Sequence, residues 1–180
     1  MTKYKLTNET KTLPDGTVLF RIELTKDCMW GKAGTKGGFI EKVENLQGDA
    51  WIANDAWVYD DARVYGNAKV YDKARVYGNA KVYDKARVYD SARVYGDAEV
   101  YRDARVYGDA EVYDRAGVYG NAQVYGDAEV YGDARIFCNA RIYDSAYIYE
   151  NARVYDRARV YGNASVYGDV EVYAEMNVSE

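Results

Sequence analysis

Residues 62–79 read ARVYGNAKVYDKARVYGN, which is one six-residue phrase, Ala-x-Val-Tyr-Gly/Asp-x, repeated three times. The phrase extends in both directions. From residue 50 in steps of six, the first slot is Ala twenty times and the third slot is Val or Ile twenty-one times. No residue is inserted or deleted in these 126 residues. A period this regular predicts a repeat architecture, in which each unit packs only on its neighbours.

Each hexad predicts one short β-strand followed by one corner. The Val-Tyr pair joins a β-branched and an aromatic side chain, and Gly, Asp or Asn follows as a turn former. Alternation along the strand places Ala and Val on one face, and Tyr with Arg, Lys or Glu on the other. Because a buried, unpaired charge such as Arg63 or Glu99 costs several kcal/mol, we expect Ala and Val inside and Tyr outside.

Three six-residue sides that turn the same way close a triangular coil of 18 residues. Successive coils then stack as parallel strands about 4.8 Å apart. The 126 residues make seven such coils, so the regular rod is about 34 Å long. We therefore predict an all-β fold, a three-sided parallel solenoid of about seven regular coils.

The segment Val64-Tyr65-Gly66-Asn67-Ala68-Lys69 carries an aliphatic residue followed four positions later by a small one. It resembles the hexapeptide-repeat signature of left-handed parallel β-helices. The resemblance implies left-handed coiling. Tyr directly after the aliphatic residue departs from the family pattern, in which a small or acidic residue is usual, so the outer surface is the unusual part of this chain.

The first part of the chain, which contains the only Pro, predicts a small β cap. LPDGT at residues 13–17 is a turn signal. The apolar residues that follow alternate as in a half-buried strand: Val18, Phe20, Ile22 and Leu24. Repeat arrays need atypical terminal units to cover their core. We therefore predict a β-hairpin cap over residues 1–37 and the β-helix over residues 38–180, with an irregular first coil beginning near Gly38.

A second resemblance lies in the opening segments Met1–Tyr4, Ala33–Thr35, Gly37–Gly38, Gly48–Asp49 and Trp51–Ile52. Together with the repeat, they are similar to the opening of YdcK-type bacterial β-helix proteins, which are commonly labelled acyltransferases. The resemblance implies a bacterial or phage-encoded protein with a capped β-helix.

The acyltransferase label conflicts with the residues present. Hexapeptide acyltransferases use a His general base beside a projecting loop, whereas this chain has no His and its repeat has no insertion. Acyl transfer needs a base whose pKa is near the working pH, and the related carbonic anhydrases need three His ligands for their metal. We therefore expect a protein that is not an enzyme, with no catalytic residues, no metal and no cofactor.

The coil sorts the outward side chains into columns, and one tyrosine in each hexad predicts three ladders with a spacing that permits stacking. The ladder that we consider as an interaction surface is Tyr71, Tyr89, Tyr107, Tyr125, Tyr143 and Tyr161. Beside it runs a basic column of Lys69, Arg87, Arg105, Arg141 and Arg159. The ladders either only stiffen the rod or dock a partner. The cations either pair with nearby Asp residues or bind a nucleic acid, another polyanion or a glycan.

The C-terminal end carries larger apolar residues in the repeat phase, namely Val170, Val172, Met176 and Val178. They either plug the last coil or form an end face that contacts a second copy, because an uncovered sheet edge invites docking. Our leading hypothesis is a non-catalytic rigid solenoid that acts as a structural or protein-interaction module. Its partner is either a second copy of the chain, in a homodimer, or another protein. Polyanion or glycan binding is the alternative, and acyl transfer is disfavoured.

No apolar run follows the first residues, so neither a signal peptide nor a membrane span is predicted. We therefore expect a cytoplasmic protein of a bacterial cell without membrane contact. The two cysteines, Cys28 and Cys138, predict no disulfide framework.

Overall fold

The computed structural model describes residues 3–180, which form an all-β rod. Met1 and Thr2, which belong to the predicted cap, lie outside the described residues. The N-terminal strands are β1 (Tyr4–Thr12), β2 (Val18–Leu24) and β3 (Lys36–Ile40), and a 3-10 turn follows at Val43–Asn45. After this turn the chain is a series of two-residue strands separated by corners.

The two-residue strands lie on three faces. The cap-linked face holds β5 (Trp57–Val58), β8 (Arg75–Val76), β11 (Arg93–Val94), β14 (Glu111–Val112), β17 (Glu129–Val130), β20 (Tyr147–Ile148) and β23 (Ser165–Val166). The mixed face holds β6 (Arg63–Val64), β9 (Lys81–Val82), β12 (Glu99–Val100), β15 (Gly117–Val118), β18 (Arg135–Ile136), β21 (Arg153–Val154) and β24 (Glu171–Val172). The basic face holds β4 (Trp51–Ile52), β7 (Lys69–Val70), β10 (Arg87–Val88), β13 (Arg105–Val106), β16 (Gln123–Val124), β19 (Arg141–Ile142), β22 (Arg159–Val160) and β25 (Asn177–Val178).

Every strand of the rod pairs in parallel with the strand one coil away. Arg87, for example, lies between Lys69 and Arg105, each 18 residues distant. The basic face has eight strands in register, seven from the regular coils and β25 after them at the C-terminal end, so the rod makes about eight turns. The three-sided parallel solenoid is confirmed, whereas its left-handed winding stays a prediction.

The interior is filled by the Ala and Val slots, as predicted. Every first-slot Ala from Ala50 to Ala158 has no exposed surface, and the third-slot residues from Ile52 to Val160 are equally buried. The fifth slot is left-handed at each corner of the regular coils, with φ of 74° at Gly108 and 59° at Asp90. Gly, Asp and Asn tolerate this conformation best, which explains why they fill the slot.

The cap is a hairpin that joins the rod through β3. β1 and β2 are antiparallel across the predicted turn, in which the Leu13 amide donates to the Thr17 carbonyl at 2.8 Å. β3 pairs antiparallel with β2 and parallel with β5, and it contains the predicted boundary between residues 37 and 38. At Gly38 an added Cβ would lie 2.5 Å from the Ala56 carbonyl oxygen, so only glycine allows this approach.

The predicted alternation in β2 is wrong for its first half. Ile22 and Leu24 are buried in the main core, but Val18 is 38% exposed. Leu19 is buried on the other face of the strand and is not part of that core. The register between β2 and β3 also shifts between Arg21 and Glu23. The short sequence pattern carries no sign of either feature.

Candidate functional site

The tyrosine ladder of the basic face is a continuous stack of parallel rings. Successive ring centroids from Tyr71 to Tyr161 are 4.8–5.1 Å apart, and the rings are tilted by 6° or less. Each such contact contributes about 0.5–1.5 kcal/mol beyond burial. Every ring between the two ends has both faces covered by its neighbours. The ladder therefore offers a partner its ring edges and hydroxyl groups only.

The other two faces carry equivalent ladders. They begin at Tyr59 and Tyr65 and continue in every coil, with Phe137 replacing one tyrosine. At the C-terminal end the rings open to solvent, since Tyr167 is 54% exposed and Tyr173 is 43% exposed. All three ladders thus stiffen the rod in the same way.

Two tyrosine hydroxyls on each of the other two faces donate to glutamates, and within residues 3–180 no hydroxyl of the basic face does so. On the cap-linked face Tyr95 donates to Glu111 at 2.8 Å, and Tyr113 donates to Glu129 at 3.0 Å. Tyr83 and Tyr155 of the mixed face donate to glutamates in the same way. On the basic face, within residues 3–180, only Tyr107 has a side-chain acceptor, the Gln123 amide oxygen at 3.3 Å. The remaining hydroxyls of this face are available to a ligand.

The pKa values of the tyrosines reflect this difference. Burial raises the pKa of Tyr95, and its hydrogen bond to the Glu111 carboxylate raises it further. Burial also raises the pKa of Tyr89, but the charges of Arg105 and Arg87 oppose the increase. Burial raises the pKa of Tyr59 to about 12. All these phenols are therefore neutral hydrogen-bond donors at pH 7.

The basic column lies beside this ladder on neighbouring strands. Lys69 pairs with Arg87, Arg87 with Arg105, and Arg141 with Arg159. Four of its five side chains are exposed and Lys69 is half-buried. Within the described part of the chain none of the five forms an ion pair, whereas Lys81, Arg93, Arg115, Arg153 and Arg157 elsewhere on the rod do. Because like charges on adjacent strands repel each other, this column lowers the stability of the folded state.

Of the two alternatives for the column, ion pairing with nearby Asp residues is not found within residues 3–180. The carboxylates of Asp90 and Asp144 accept hydrogen bonds from the backbone amides of Gly108 and Gly162 in the next coil, each at 3.2 Å. Asp72 accepts from the Asn54 side-chain amide at 2.7 Å. The carboxylates hold the corners together and leave the cations unpaired. The sequence could not show this, because it depends on contacts between coils.

A cleft of about 550 Å³ lies where the cap meets the basic face. Its lining combines predicted and new residues: Met29, Trp30, Asn67, Lys69, Tyr71, Lys85, Arg87, Asp103 and Arg105. Met29 and Trp30 lie at the tip of a turn closed by hydrogen bonds between Cys28 and Gly31. The Lys69 ammonium lies 4.8 Å from the Tyr71 ring centroid and 5.7 Å from that of Trp30. The Trp30 indole N–H donates to the Asp49 carbonyl at 2.7 Å.

Sequence reasoning missed five residues of this cleft. Asn67, Lys85 and Asp103 follow one another at intervals of 18 residues in the corner that precedes the basic column, so the coil period could have identified them. Met29 and Trp30 carried no such signal, because their position depends on the path of the loop between β2 and β3.

The four end-face residues do not share one environment. Val172 is buried inside the last coil and Val178 is half-buried, while Val170 and Met176 are 49% and 44% exposed. Among the described residues, β23, β24 and β25 have no further strand beyond them. The end of the rod is therefore an open edge with two exposed apolar side chains.

Residues 3–180 also bear on metal binding and membrane insertion. No group of His, Cys, Asp or Glu side chains there is arranged to hold a metal ion. That same span contains no helix with the length and apolar character needed to cross a membrane. Cys28 and Cys138 are free thiols.

The geometry defines the class of protein: a three-sided parallel β-solenoid with a β cap. Residues 74–90 and 152–168 match the model of the YdcK beta solenoid repeat. Each match is nearly one coil long, and the chain thus fits a YdcK-type repeat protein, as the predicted resemblance implied. No curated protein matches the chain at a significant level.

Proposed function

We propose that this protein is a non-catalytic rigid rod that acts as a structural and protein-interaction module. The observation that carries the proposal is the outward tyrosine ladder of the basic face, whose rings are fixed at 4.8–5.1 Å spacing over six coils. Side chains that are already ordered lose little conformational entropy on binding. Tyrosine also combines a large contact area with a polar tip, which suits a reusable contact surface.

The proposal of a non-catalytic role has chemical support. The chain lacks His, and the groups with the largest pKa shifts are tyrosines such as Tyr95, whose pKa is raised by burial and by Glu111. Such phenols stay protonated at neutral pH and are poor general bases. Isothermal calorimetry with acetyl-CoA tests this point. We expect no saturable heat, and binding with turnover of an acceptor amine would revive the acyltransferase alternative.

The experiment that tests the interaction role compares the faces. The variant Tyr89→Ser/Tyr125→Ser interrupts the ladder of the basic face, and Tyr95→Ser/Tyr131→Ser interrupts that of the cap-linked face. Crosslinking in the native host followed by mass spectrometry should recover a partner with the wild type and the second variant, and lose it with the first. Equal recovery by both variants would remove the ladder from the proposal.

Self-association through the open end is part of the same proposal. Val170 and Met176 are exposed there beside unpaired strand edges, which favours docking of a second copy. The end is also acidic, since no Lys or Arg follows Arg159. Two such ends repel each other at low salt. Light scattering after gel filtration should therefore show a dimer fraction that rises between 50 and 500 mM NaCl, and a monomer at all salt concentrations would contradict it.

A second candidate function, binding of a polyanion or glycan, is favoured by one specific observation. The cations of the basic column have no acidic partners within residues 3–180. A cation column that the fold itself does not neutralise is suited to an external anion.

A further inference from the structure

The basic face differs from the other faces in the sign pattern of its strand column. On the mixed face Lys81 is followed one coil later by Glu99, with which it pairs at 2.8 Å. On the cap-linked face Arg93 is followed by Glu111, also at 2.8 Å. On the basic face the second slot contains no acidic residue in any coil: Trp51, Lys69, Arg87, Arg105, Gln123, Arg141, Arg159 and Asn177. An anionic ligand that lies along this face meets a cation at five of these eight positions, with one gap at Gln123.

The spacing of the column indicates a linear ligand. Its cations repeat at the coil distance, which the adjacent ring stack measures as 4.8–5.1 Å. Tyrosine hydroxyls repeat beside them at the same interval, and within residues 3–180 only that of Tyr107 has a side-chain acceptor. The face is therefore a straight double row of guanidinium or ammonium groups and phenol donors. A polymer that alternates anionic groups and hydroxyls along an extended chain complements both rows.

The closed ladder decides which class of polymer this is. Single-stranded nucleic acids gain much of their affinity by stacking bases on free aromatic faces. Here the internal rings, such as Tyr89 and Tyr107, have neighbours 4.9 Å away on both sides, so no base can enter the stack. Ring edges and hydroxyls instead match sugar hydroxyls. Carboxylates or sulfates are good acceptors for the arginine forks.

The cap cleft supplies a place where such a polymer can end. Trp30 and Met29 supply apolar surface, Lys69, Lys85 and Arg87 supply cations, and Asp103 is the acidic residue of the lining. Met29 is 73% exposed although it lies at the tip of a hydrogen-bonded turn. Trp30 lies beside Lys69, the first cation of the basic column, so the cleft is at the N-terminal end of that column. An amphipathic sugar ring suits a site that combines apolar and charged side chains.

We propose that the basic face binds a linear anionic polysaccharide along the rod axis, with its terminal sugar seated against Trp30 in the cap cleft. The proposal rests on the second candidate function, polyanion or glycan binding, and deepens it by naming the chemical class of the ligand. Lys69, Arg87, Arg105, Arg141 and Arg159 contact its anionic groups, and the tyrosine hydroxyls of the same face contact its hydroxyls.

The first experiment measures binding by calorimetry to heparin as a sulfated probe, to alginate as a carboxylated probe and to oligo(dT) as a nucleic acid. We expect saturable binding to at least one polysaccharide. For about five ionic contacts, raising salt from 50 to 200 mM should weaken binding roughly 100-fold. Absence of binding to both polysaccharides at 50 mM salt, or tighter binding to oligo(dT) than to either, would overturn the proposal.

The second experiment compares matched variants. Arg87→Glu/Arg105→Glu should weaken polysaccharide binding by about 100-fold, because two charge-assisted contacts become repulsive. Arg135→Glu/Arg153→Glu changes the same slot of adjacent coils on the mixed face and should leave the affinity within about twofold. Equal losses in both variants would indicate attraction to overall charge and contradict the assignment. Circular dichroism melts confirm that both variants are folded.

The third experiment addresses the cleft. Trp30→Ala should weaken binding of short anionic oligosaccharides roughly tenfold, a typical value for losing one aromatic contact, and should affect long polymers less. Met176→Ala at the far end is the control and should have no effect. If Trp30→Ala leaves short oligosaccharides unchanged, the cleft is not part of the site. Loss of the crosslinked protein partner in the ladder variants is measured independently, so either proposal can fail alone.

Discussion

The basic face and the other two faces of the rod share one backbone and one tyrosine ladder, yet their charges are organised differently. On the cap-linked face Arg93 pairs with Glu111, and Tyr95 donates to the same carboxylate. At the equivalent positions of the basic face, Arg87 and Tyr89 have no such partner in residues 3–180. The comparison teaches that the first, third and fourth slots of the hexad build the fold. The second slot is free to vary, and it is there that the faces acquire different surfaces.

The largest expected effect on the free energy of unfolding comes from removing a ring of the tyrosine ladder, which all three faces share. Tyr89→Ala on the basic face and Tyr101→Ala on the mixed face each remove two ring contacts of 4.8–4.9 Å. Each variant should lower the free energy of unfolding by about 2–4 kcal/mol, from lost stacking and the space left behind. Urea denaturation measures the free energy of unfolding of each variant. The two losses should agree within about 0.5 kcal/mol, and a large difference would show that the ladders are not equivalent.

Alkaline pH should destabilise the rod through all three ladders. A free phenol ionises near pH 10, whereas burial raises the pKa of folded Tyr59 to about 12. Between these values the unfolded chain loses protons that the folded chain keeps. The stabilisation is therefore complete below pH 10 and is lost as the pH rises through the folded pKa.

Absorbance at 295 nm and circular dichroism, followed together, measure this transition. Ionisation and unfolding should coincide above pH 10. Tyr95→Phe removes a phenol whose pKa is raised by burial and by Glu111, so it should leave the early part of the titration unchanged. Full ionisation of the tyrosines near pH 10 in a folded rod would contradict the closed ladder.

Removal of single tyrosine hydroxyls should have a smaller effect on the free energy of unfolding, and this effect should differ between the faces. Tyr95→Phe deletes the 2.8 Å hydrogen bond to Glu111 and should cost about 1 kcal/mol. Tyr89→Phe deletes a hydroxyl without a side-chain acceptor in the described residues, and its effect on the free energy of unfolding should be near zero. Thermal melts of the two variants provide the measurement. A loss of similar size in Tyr89→Phe would mean that the basic face has an internal acceptor for that hydroxyl.

The smallest expected effect on the free energy of unfolding comes from removing single cations from the second slot of the hexad. Arg93→Ala removes the ion pair with Glu111 and should cost about 0.2–1 kcal/mol. Arg87→Ala removes a charge that lies between Lys69 and Arg105 and should be neutral or slightly stabilising. Added salt should reduce the first effect and also the second, because both are electrostatic. Clear destabilisation by Arg87→Ala at low salt would show that this column is neutralised within the fold.

Much of the fold could be predicted because the repeat multiplies weak local signals. One Val-Tyr pair is a poor strand signal, but twenty-one hexads in phase leave few alternatives. The buried Ala and Val slots, the 18-residue coil and the outward ladders were all confirmed. The cap was harder. Its strand β2 has no repeat to support it, and the alternation gave no sign that Val18 is exposed while Leu19 is buried on the other face.

The candidate site was predictable only in part. The column and ladder followed from the coil period, which brings Lys69, Arg87 and Arg105 together from positions 18 residues apart. Whether these cations have acidic partners did not follow, since two nearby aspartates, Asp90 and Asp144, accept hydrogen bonds from backbone amides instead. The position of Trp30 beside this column could not be predicted either, because nothing in the cap resembles the repeat.

The sequence by itself determined the three-sided tube, its aliphatic filling and the rows of rings on its walls, because each depends on alternation within six residues and on its faithful repetition. Only the tertiary structure decided which hydroxyls and cations have partners, and where the tip of the cap loop lies. Those outcomes depend on competition between acceptors in different coils and on the path of an irregular loop. Such interactions join residues far apart in the chain, and no local pattern records them.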